Sequence, residues 1–523
     1  MEEFSARTRA GNLAAMASDP LDVLVIGGGI VGAWTALTAA LRGHRTALLE
    51  KGDFASGTSG KTSRLIHGGL RYLQQFRIGL VAQAARERDV LLRIAPDLVR
   101  PLTFLIPVYR DRGPKGWQLR FGLWLYDAVS RDKALPPRKW LTREEALAIE
   151  PGLAREGLLA AATYADAITR DARLVVTVVR RAAEFGALVA NYARVTRLVR
   201  EGGRVVGAHV RDEEMGRDLF VRTRDVVNAT GIWVADLQTP EHRLQLRPTK
   251  GIHIFVPHER LGHRHALVLP TRDRRIVFVL PWGDLSLIGT TDTDYSGDKN
   301  HVAADLGDVE YLLDAVNRGY PNARLAPDDV VSTYAGLRPL IHTGETEESD
   351  ISRKHEIFPD SDGLISVAGG KLTTARLMAE EVVRRVESRT LARRFRETKA
   401  SEDLHRWAIY RTAVTRGWPR FWMGDTRSVR ISSSMSPPSL EDPTSMALHA
   451  ARHEMALHLD DVLVRRSGLF SERPDQGLGI AHATAEVMGG ELGWDPARRA
   501  RELARFEDLV ASSRRWREGL RDG

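Results

Sequence analysis

Three glycines, Gly27, Gly29 and Gly32, stand in the spacing G-x-G-x-x-G directly after the apolar run LDVLVI, with Gly28 between the first two. Glycine at these places lets a strand turn tightly into a helix and lets backbone N–H groups approach a pyrophosphate, which the positive end of the helix then stabilises. Glu50 closes the next apolar run, where a carboxylate can accept both hydroxyls of a ribose. An acid there disfavours a 2′-phosphate and so argues against NADP, in favour of NAD or FAD. A later turn, GGKLTT from Gly369 to Thr374, again follows an apolar run and precedes a helical pattern. A second approach of that kind suits a ligand whose ring system must be enclosed, which favours FAD over NAD without deciding between them.

Other groupings carry less. His449 and His453 are four apart on a helical pattern, but His458 breaks the H-E-x-x-H spacing and no metal site is expected. Asp292, Asp294 and Asp298 in TDTDYSGD read as the solvated acids of a turn. The stretch WQLRFGLWLYDAVS reads as a buried helix of a substrate domain ahead of a membrane-contact helix. The chain has no cysteine, which excludes disulfides and thiolate metal sites. Its net charge of +8 could draw nucleic acid, an anionic membrane face or a phosphorylated substrate, and composition does not choose among them. No run approaches the roughly 18 apolar residues of a spanning helix. The start does not read as a secretory signal, so a cytoplasmic location is expected.

The elements that must position these residues follow from periodicity. The 523 residues favour two or three domains. Strand, glycine turn and helix open the chain, with Ala33, Ala36, Leu37, Ala40 and Leu41 at helical spacing and Gly43 as the stop, before a second strand from Arg45 to Leu49. Helical spacing runs from about Ile78 to Ala95, where Pro96 ends it. Short β-rich runs between Gly186 and Thr230 return to the first sheet, and 246–354 mixes strand signals into a separate, substrate-facing sheet. Ala447, Ala451, Met455, Leu459 and Val462 share one face of a late helix. The expected class is α/β: a Rossmann-type domain assembled from 21–100, 155–245 and 355–388, and a mixed-sheet substrate domain from 246–354 with a connecting segment at 101–154. A leading helix at 1–20 and a C-terminal helical domain from 389 to 523 complete it. Ser432 to Pro443 reads as a linker.

DVLVIGGGIVGA, SGKTSRLIHGGLRYL, TKGIHIFVP, LPWGDLSLIGTTDTDY, YAGLRPLI and VAGGKLTTARLMAEEVV, with RHEMALHLDDVLVRRS near the end, resemble the FAD-dependent glycerol-3-phosphate dehydrogenases of aerobic type, among the flavoproteins related to D-amino-acid oxidase. The resemblance runs along nearly the whole chain. It implies FAD held by Gly27, Gly28, Gly29, Gly32, Glu50, Thr230, Gly231, Gly369, Gly370, Lys371, Leu372 and Thr373, and hydride transfer from C2 of glycerol 3-phosphate to flavin N5. His253 resembles the active-site histidine that serves as base, with a hydrogen-bonded core histidine as the other reading. Arg338 and Arg353 resemble the substrate-phosphate arginines, whose planar forks suit phosphate oxygens. Lys371 resembles the cation beside flavin and substrate, and Arg71 and Tyr72 resemble residues lining the same pocket. The resemblance further implies a quinone acceptor, with dioxygen as the alternative, and peripheral attachment to the anionic inner face of the cell membrane; a homodimer stays open. An amine oxidase would have less need of paired phosphate arginines. An RNA-binding flavoprotein would want a clustered basic face, whereas the basic residues here are interleaved with acids, so no nucleic acid is expected. Three residues depart from the pattern, Trp34 and Thr38 in the first helix and Ala375 after the late turn.

Overall fold

The computed structural model describes residues 4–73, 77–129, 135–273, 275–341, 355–360, 362–399, 426–431 and 442–520. Two sheets organise it. In the first, the strands Leu188–Ala190, Thr46–Leu49, Leu21–Ile26, Arg217–Asn228 and Leu364–Ala368 lie side by side and parallel, and Glu356–Pro359 pairs antiparallel at the edge. Three segments far apart in sequence thus place the ends of neighbouring strands, Ile26, Asn228 and Ala368, along one edge. The carboxyl edge of a parallel sheet is where open α/β folds bind ligands. The helix Ile30–Leu41 covers this sheet and is buried almost all round, packed between Asp171–Glu184 and the helix that begins at Ala375. Trp34, Thr38 and Ala375, the three departures, are wholly enclosed in this packing, so their cost or benefit is one of core fit.

Among the described residues the second sheet has ten strands, including Val99–Tyr109, Leu158–Thr169, Leu246–Pro257, Ala266–Pro270, Ile276–Trp282, Leu285–Gly289 and Ser332–Ile341. Leu158–Thr169, which the sequence grouped with the cofactor domain, pairs along the whole length of Val99–Tyr109 in this larger sheet.

The helix Gly116–Val129 corrects the buried-helix expectation. Leu119, Leu123 and Tyr126 face the core, but Trp117, Phe121 and Trp124 are 69%, 58% and 53% exposed on the other side. Their spacing of four and three puts them on one face, and the rings of Phe121 and Trp124 stack at 5.9 Å.

The late helix also differs from its periodic pattern. Pro443–His453 is helical, but Met455 adopts φ 52° and donates its N–H to the Phe4 carbonyl at 2.9 Å, so the chain turns before Leu459 and Val462 rejoin the same core as Ala447. Residues 432–441 of the expected linker lie outside the described residues. Buried charges tie this C-terminal unit to the first sheet. Arg466 grips both oxygens of Asp53 at 2.6 and 2.8 Å, and Arg465 adds a contact at 2.5 Å. Burial would raise the Asp53 carboxyl, but the two guanidiniums outweigh it and hold the group below the usual carboxylate range.

Candidate active site

The turn after Leu21–Ile26 is shaped by what a side chain would meet there. Gly27 sits at φ 110°, and a Cβ on it would stand 2.5 Å from the Ala229 carbonyl oxygen; a Cβ on Gly32 would collide with the Gly27 carbonyl. Backbone packing therefore requires both glycines. Gly29 is different: its φ is −78°, and a Cβ would meet only the Ser59 hydroxyl, at 3.0 Å. The protein's own backbone packing does not require glycine there, and its absent side chain leaves room over the helix N-terminus of the kind a close-lying pyrophosphate demands. Glu50 accepts from the N–H of Gly28 at 2.6 Å and of Gly52 at 2.9 Å. Burial pushes its carboxyl up, and these two N–H donors work against that. Thr230 follows the end of Arg217–Asn228, Gly231 takes φ 61°, and Gly369 and Gly370 take φ 74° and 81° after Leu364–Ala368. The sequence-predicted cofactor residues are thus brought to one edge by four adjacent parallel strands, and the cradle fits an extended dinucleotide that continues toward Lys371, Leu372 and Thr373.

On the second sheet, Leu246–Pro257 runs antiparallel to Ser332–Ile341 with Thr249 opposite Arg338, Gly251 opposite Gly336 and His253 opposite Tyr334. Opposed residues point the same way, so Arg338 and His253 share a face. Glycines make room for them: the Arg338 fork lies across Gly251, and a Cβ on Gly289 would overlap the His253 ring. The loop Thr58–Ser63 of the cofactor side lies in this recess. Thr58 Oγ1 donates to the Leu337 carbonyl at 2.7 Å, Tyr334 donates to the Thr62 carbonyl at 2.7 Å, and Ser63 Oγ is 2.9 Å from His253 Nε2. The His253 ring stacks on Tyr334 at 4.7 Å. Burial, then the charges of Arg338 and Arg64, push its pKa well below the ordinary histidine value, so the imidazole is neutral. Its Nδ1 has no hydrogen-bond partner among the described residues.

Arg338 donates from Nη1 to Asp292 Oδ1 at 2.8 Å and from Nη2 to Thr290 Oγ1 and the Thr291 carbonyl, each at 3.1 Å. Asp292 is therefore a mostly buried ion-pair partner, where the sequence suggested a solvated turn; Asp294 and Asp298 are exposed as expected. Lys371 Nζ lies 3.8 Å from the centre of the Tyr72 ring, and a Cβ on Gly69 would crowd both. The side chain of Arg71 and the whole of Arg353 lie outside the described residues. Sequence reasoning missed Ser63, Tyr334 and Asp292. Ser63 and Asp292 stand inside conspicuous motifs, but their partners are set by long-range pairing.

A family model for FAD dependent oxidoreductases matches residues 22–385, and one for the C-terminal domain of alpha-glycerophosphate oxidase matches 439–499. Glycerol-3-phosphate dehydrogenase 2 of Mycobacterium tuberculosis is 38% identical over 528 residues, covering 94% of this chain and 88% of that protein. The chain belongs to the FAD-dependent glycerol-3-phosphate dehydrogenase family. The aerobic glycerol-3-phosphate dehydrogenase of Bacillus subtilis, another member, is also 38% identical, over 390 residues covering 74% of this chain and 70% of that one. The solved glycerol-3-phosphate dehydrogenase of Bacillus halodurans, a complex with FAD, superimposes with a TM-score of 0.75 at 28% identity, covering 97% of this chain and 98% of the other. Family membership makes this chain an FAD-dependent oxidoreductase, in agreement with the cradle its glycines build. Glycine oxidase of Geobacillus kaustophilus, at 23% identity and a TM-score of 0.55 over 71% of this chain, shares the fold.

Proposed function

We propose that the protein oxidises sn-glycerol 3-phosphate to dihydroxyacetone phosphate and passes the electrons to a quinone. The observation that carries this is the Arg338 fork, held beside a neutral His253 on one face of the substrate sheet. Arg338, with Arg353, seats the phosphate; Lys371 and Tyr72 close the same pocket and place C2. FAD, held by the glycine turn, Glu50 and the late glycines, supplies the two-electron acceptor for the hydrogen on C2. His253 takes the C2 hydroxyl proton, with Ser63 Oγ held 2.9 Å from its Nε2. A neutral imidazole can accept that proton and an imidazolium cannot. Anaerobic addition of glycerol 3-phosphate should bleach the flavin, and a quinone should restore its colour faster than air does. A flavin that stays oxidised with glycerol 3-phosphate would end the substrate assignment, and faster recovery in air would replace quinone by dioxygen.

The reading extends to peripheral attachment at the cytoplasmic face of an anionic membrane. Among the described residues no helix is long and apolar enough to cross a membrane. The outward face of Trp117, Phe121 and Trp124, flanked by the exposed Lys115 and Arg120, suits the interface between headgroups and acyl chains, where aromatic rings insert and basic side chains meet anionic lipid. The protein should float with vesicles containing phosphatidylglycerol at low salt and less at high salt. Replacing the three aromatics by serine should weaken binding at both. Equal flotation of that triple variant and the wild type would remove this face from the account.

A further inference from the structure

The turn that carries Tyr72 to Lys371 is held from behind. Its front is fixed by Lys371 against the Tyr72 ring and by Thr373, whose Oγ1 accepts from the His67 N–H at 3.1 Å. Behind it, the Gly68 N–H is shared between the Tyr126 hydroxyl at 2.9 Å and Asp166 Oδ1 at 3.3 Å, and the hydroxyl itself donates to that Asp166 oxygen at 2.6 Å. Arg88, fully buried, donates to the same Asp166 oxygen at 2.6 Å. Burial, with the Asp166 carboxylate beside it, pushes the Tyr126 phenol well above its ordinary range, so the hydroxyl keeps its proton. Gly68 has no room for a side chain, because a Cβ there would collide with that hydroxyl. One residue later, Gly69 takes φ 80° and packs under the Tyr72 ring and Lys371 Nζ. Tyr126 belongs to the helix Gly116–Val129, on the face opposite its exposed aromatics.

We infer that Tyr126 is a positioning residue for the oxidation proposed above: through Gly68, and anchored by Asp166 and Arg88, it sets the height of the His67–Tyr72 turn and with it the place of Tyr72 against Lys371. It touches neither substrate nor cofactor. Without the hydroxyl the Gly68 N–H is left with its longer contact to Asp166, the turn settles toward that carboxylate, and small displacements of substrate-holding groups are costly. The inference rests on the functional reading, because only a substrate-holding Lys371 and Tyr72 give that height a kinetic consequence.

Tyr126→Phe keeps the ring under Gly68 and removes only the hydroxyl. In the holoenzyme, with a soluble dye as acceptor, KM for glycerol 3-phosphate should rise about tenfold while kcat changes less than about twofold, the pattern of a hold on the substrate weakened equally in the bound complex and the transition state. Flavin content should be that of wild type. Added to Lys371→Met, the same substitution should raise KM by less than about twofold, because the residue through which it acts is gone. Binding of 2-phosphoglycolate, read from the flavin spectrum, should weaken in parallel without turnover. An unchanged KM in Tyr126→Phe overturns the positioning role, as do equal factors in both backgrounds. A Tyr126→Phe protein that sheds its flavin or melts at the assay temperature overturns it too, since the hydroxyl would then hold the fold and not the site. A wild-type flavin that glycerol 3-phosphate does not reduce sinks the functional reading and this inference with it, whereas normal wild-type reduction with an unaffected Tyr126→Phe sinks the inference alone.

Discussion

Gly29→Val should purify as a folded protein nearly free of flavin. The backbone at Gly29 has an ordinary φ of −78°, and the first atom of a side chain would meet the Ser59 hydroxyl at 3.0 Å, which accepts from the Ile30 N–H and need give by only a few tenths of an ångström. The fold should therefore tolerate the change, while the isopropyl group would occupy the space over the Ile30–Leu41 N-terminus where we place the pyrophosphate. Forcing a branched side chain into so close a contact costs about 1–3 kcal/mol or more, a weakening of FAD on the order of ten- to a hundredfold or beyond. Gly32→Ala is the contrasting case. Its Cβ would collide with the Gly27 carbonyl, so the turn itself must open and stability should fall along with flavin content. Absorbance at the flavin band against protein, thermal melts and titration of the apoprotein with FAD separate the two. A Gly29→Val protein that keeps a full flavin spectrum would show that the pyrophosphate is not seated on this turn.

That contrast also marks what the sequence could and could not reveal. The glycine turn, Glu50 and the GGKLTT segment were legible because each solves a local backbone problem, and the solution is recorded in residue type within a few positions. Adjacency of strands that are hundreds of residues apart is not recorded that way. His253 and Arg338 could be named from their motifs, but that they share a face follows only from Thr249 pairing with Arg338. Asp292 looked like one of three turn acids because nothing local distinguishes it; it differs by lying where the strand Leu285–Gly289 delivers the chain to Arg338. Asp53 finds Arg465 and Arg466 more than four hundred residues later, beyond any periodicity. The aromatics of Gly116–Val129 misled in the opposite direction. Apolar residues are inside by default, and composition cannot say which apolar face has been left uncovered. The late helix broke at Met455 although its apolar spacing continued, because a chain that turns can still return side chains to the same core.

Arg338→Ala should lower kcat/KM for glycerol 3-phosphate by about 30-fold or more, at normal flavin content. A phosphate entering a largely buried pocket exchanges its water shell for fixed donors, and removing one partner of such a hydrogen-bonded pair costs roughly 2–5 kcal/mol, with each 1.4 kcal/mol worth a factor of ten. Lysine keeps the charge and loses the fork, so Arg338→Lys should recover only part of the rate. The structure adds a term that residue type alone does not suggest. Asp292 sits 2.8 Å from the guanidinium, and Arg338→Ala leaves this carboxylate without its cation beside the place proposed for the phosphate. Two like charges at that range oppose binding, so Arg338→Ala combined with Asp292→Asn should be faster than Arg338→Ala alone. In the intact protein the same carboxylate aligns the fork, and Asp292→Asn by itself should slow the reaction. This opposite sign in the two backgrounds is the signature of a carboxylate that serves the arginine and not the substrate. Glycerol, which has no phosphate, should be nearly indifferent to all of these changes if it reacts. The assignment of Arg338 fails if Arg338→Ala keeps near wild-type kcat/KM, or if it slows glycerol and its phosphate alike; the role of Asp292 fails if Asp292→Asn acts in the same direction in both backgrounds.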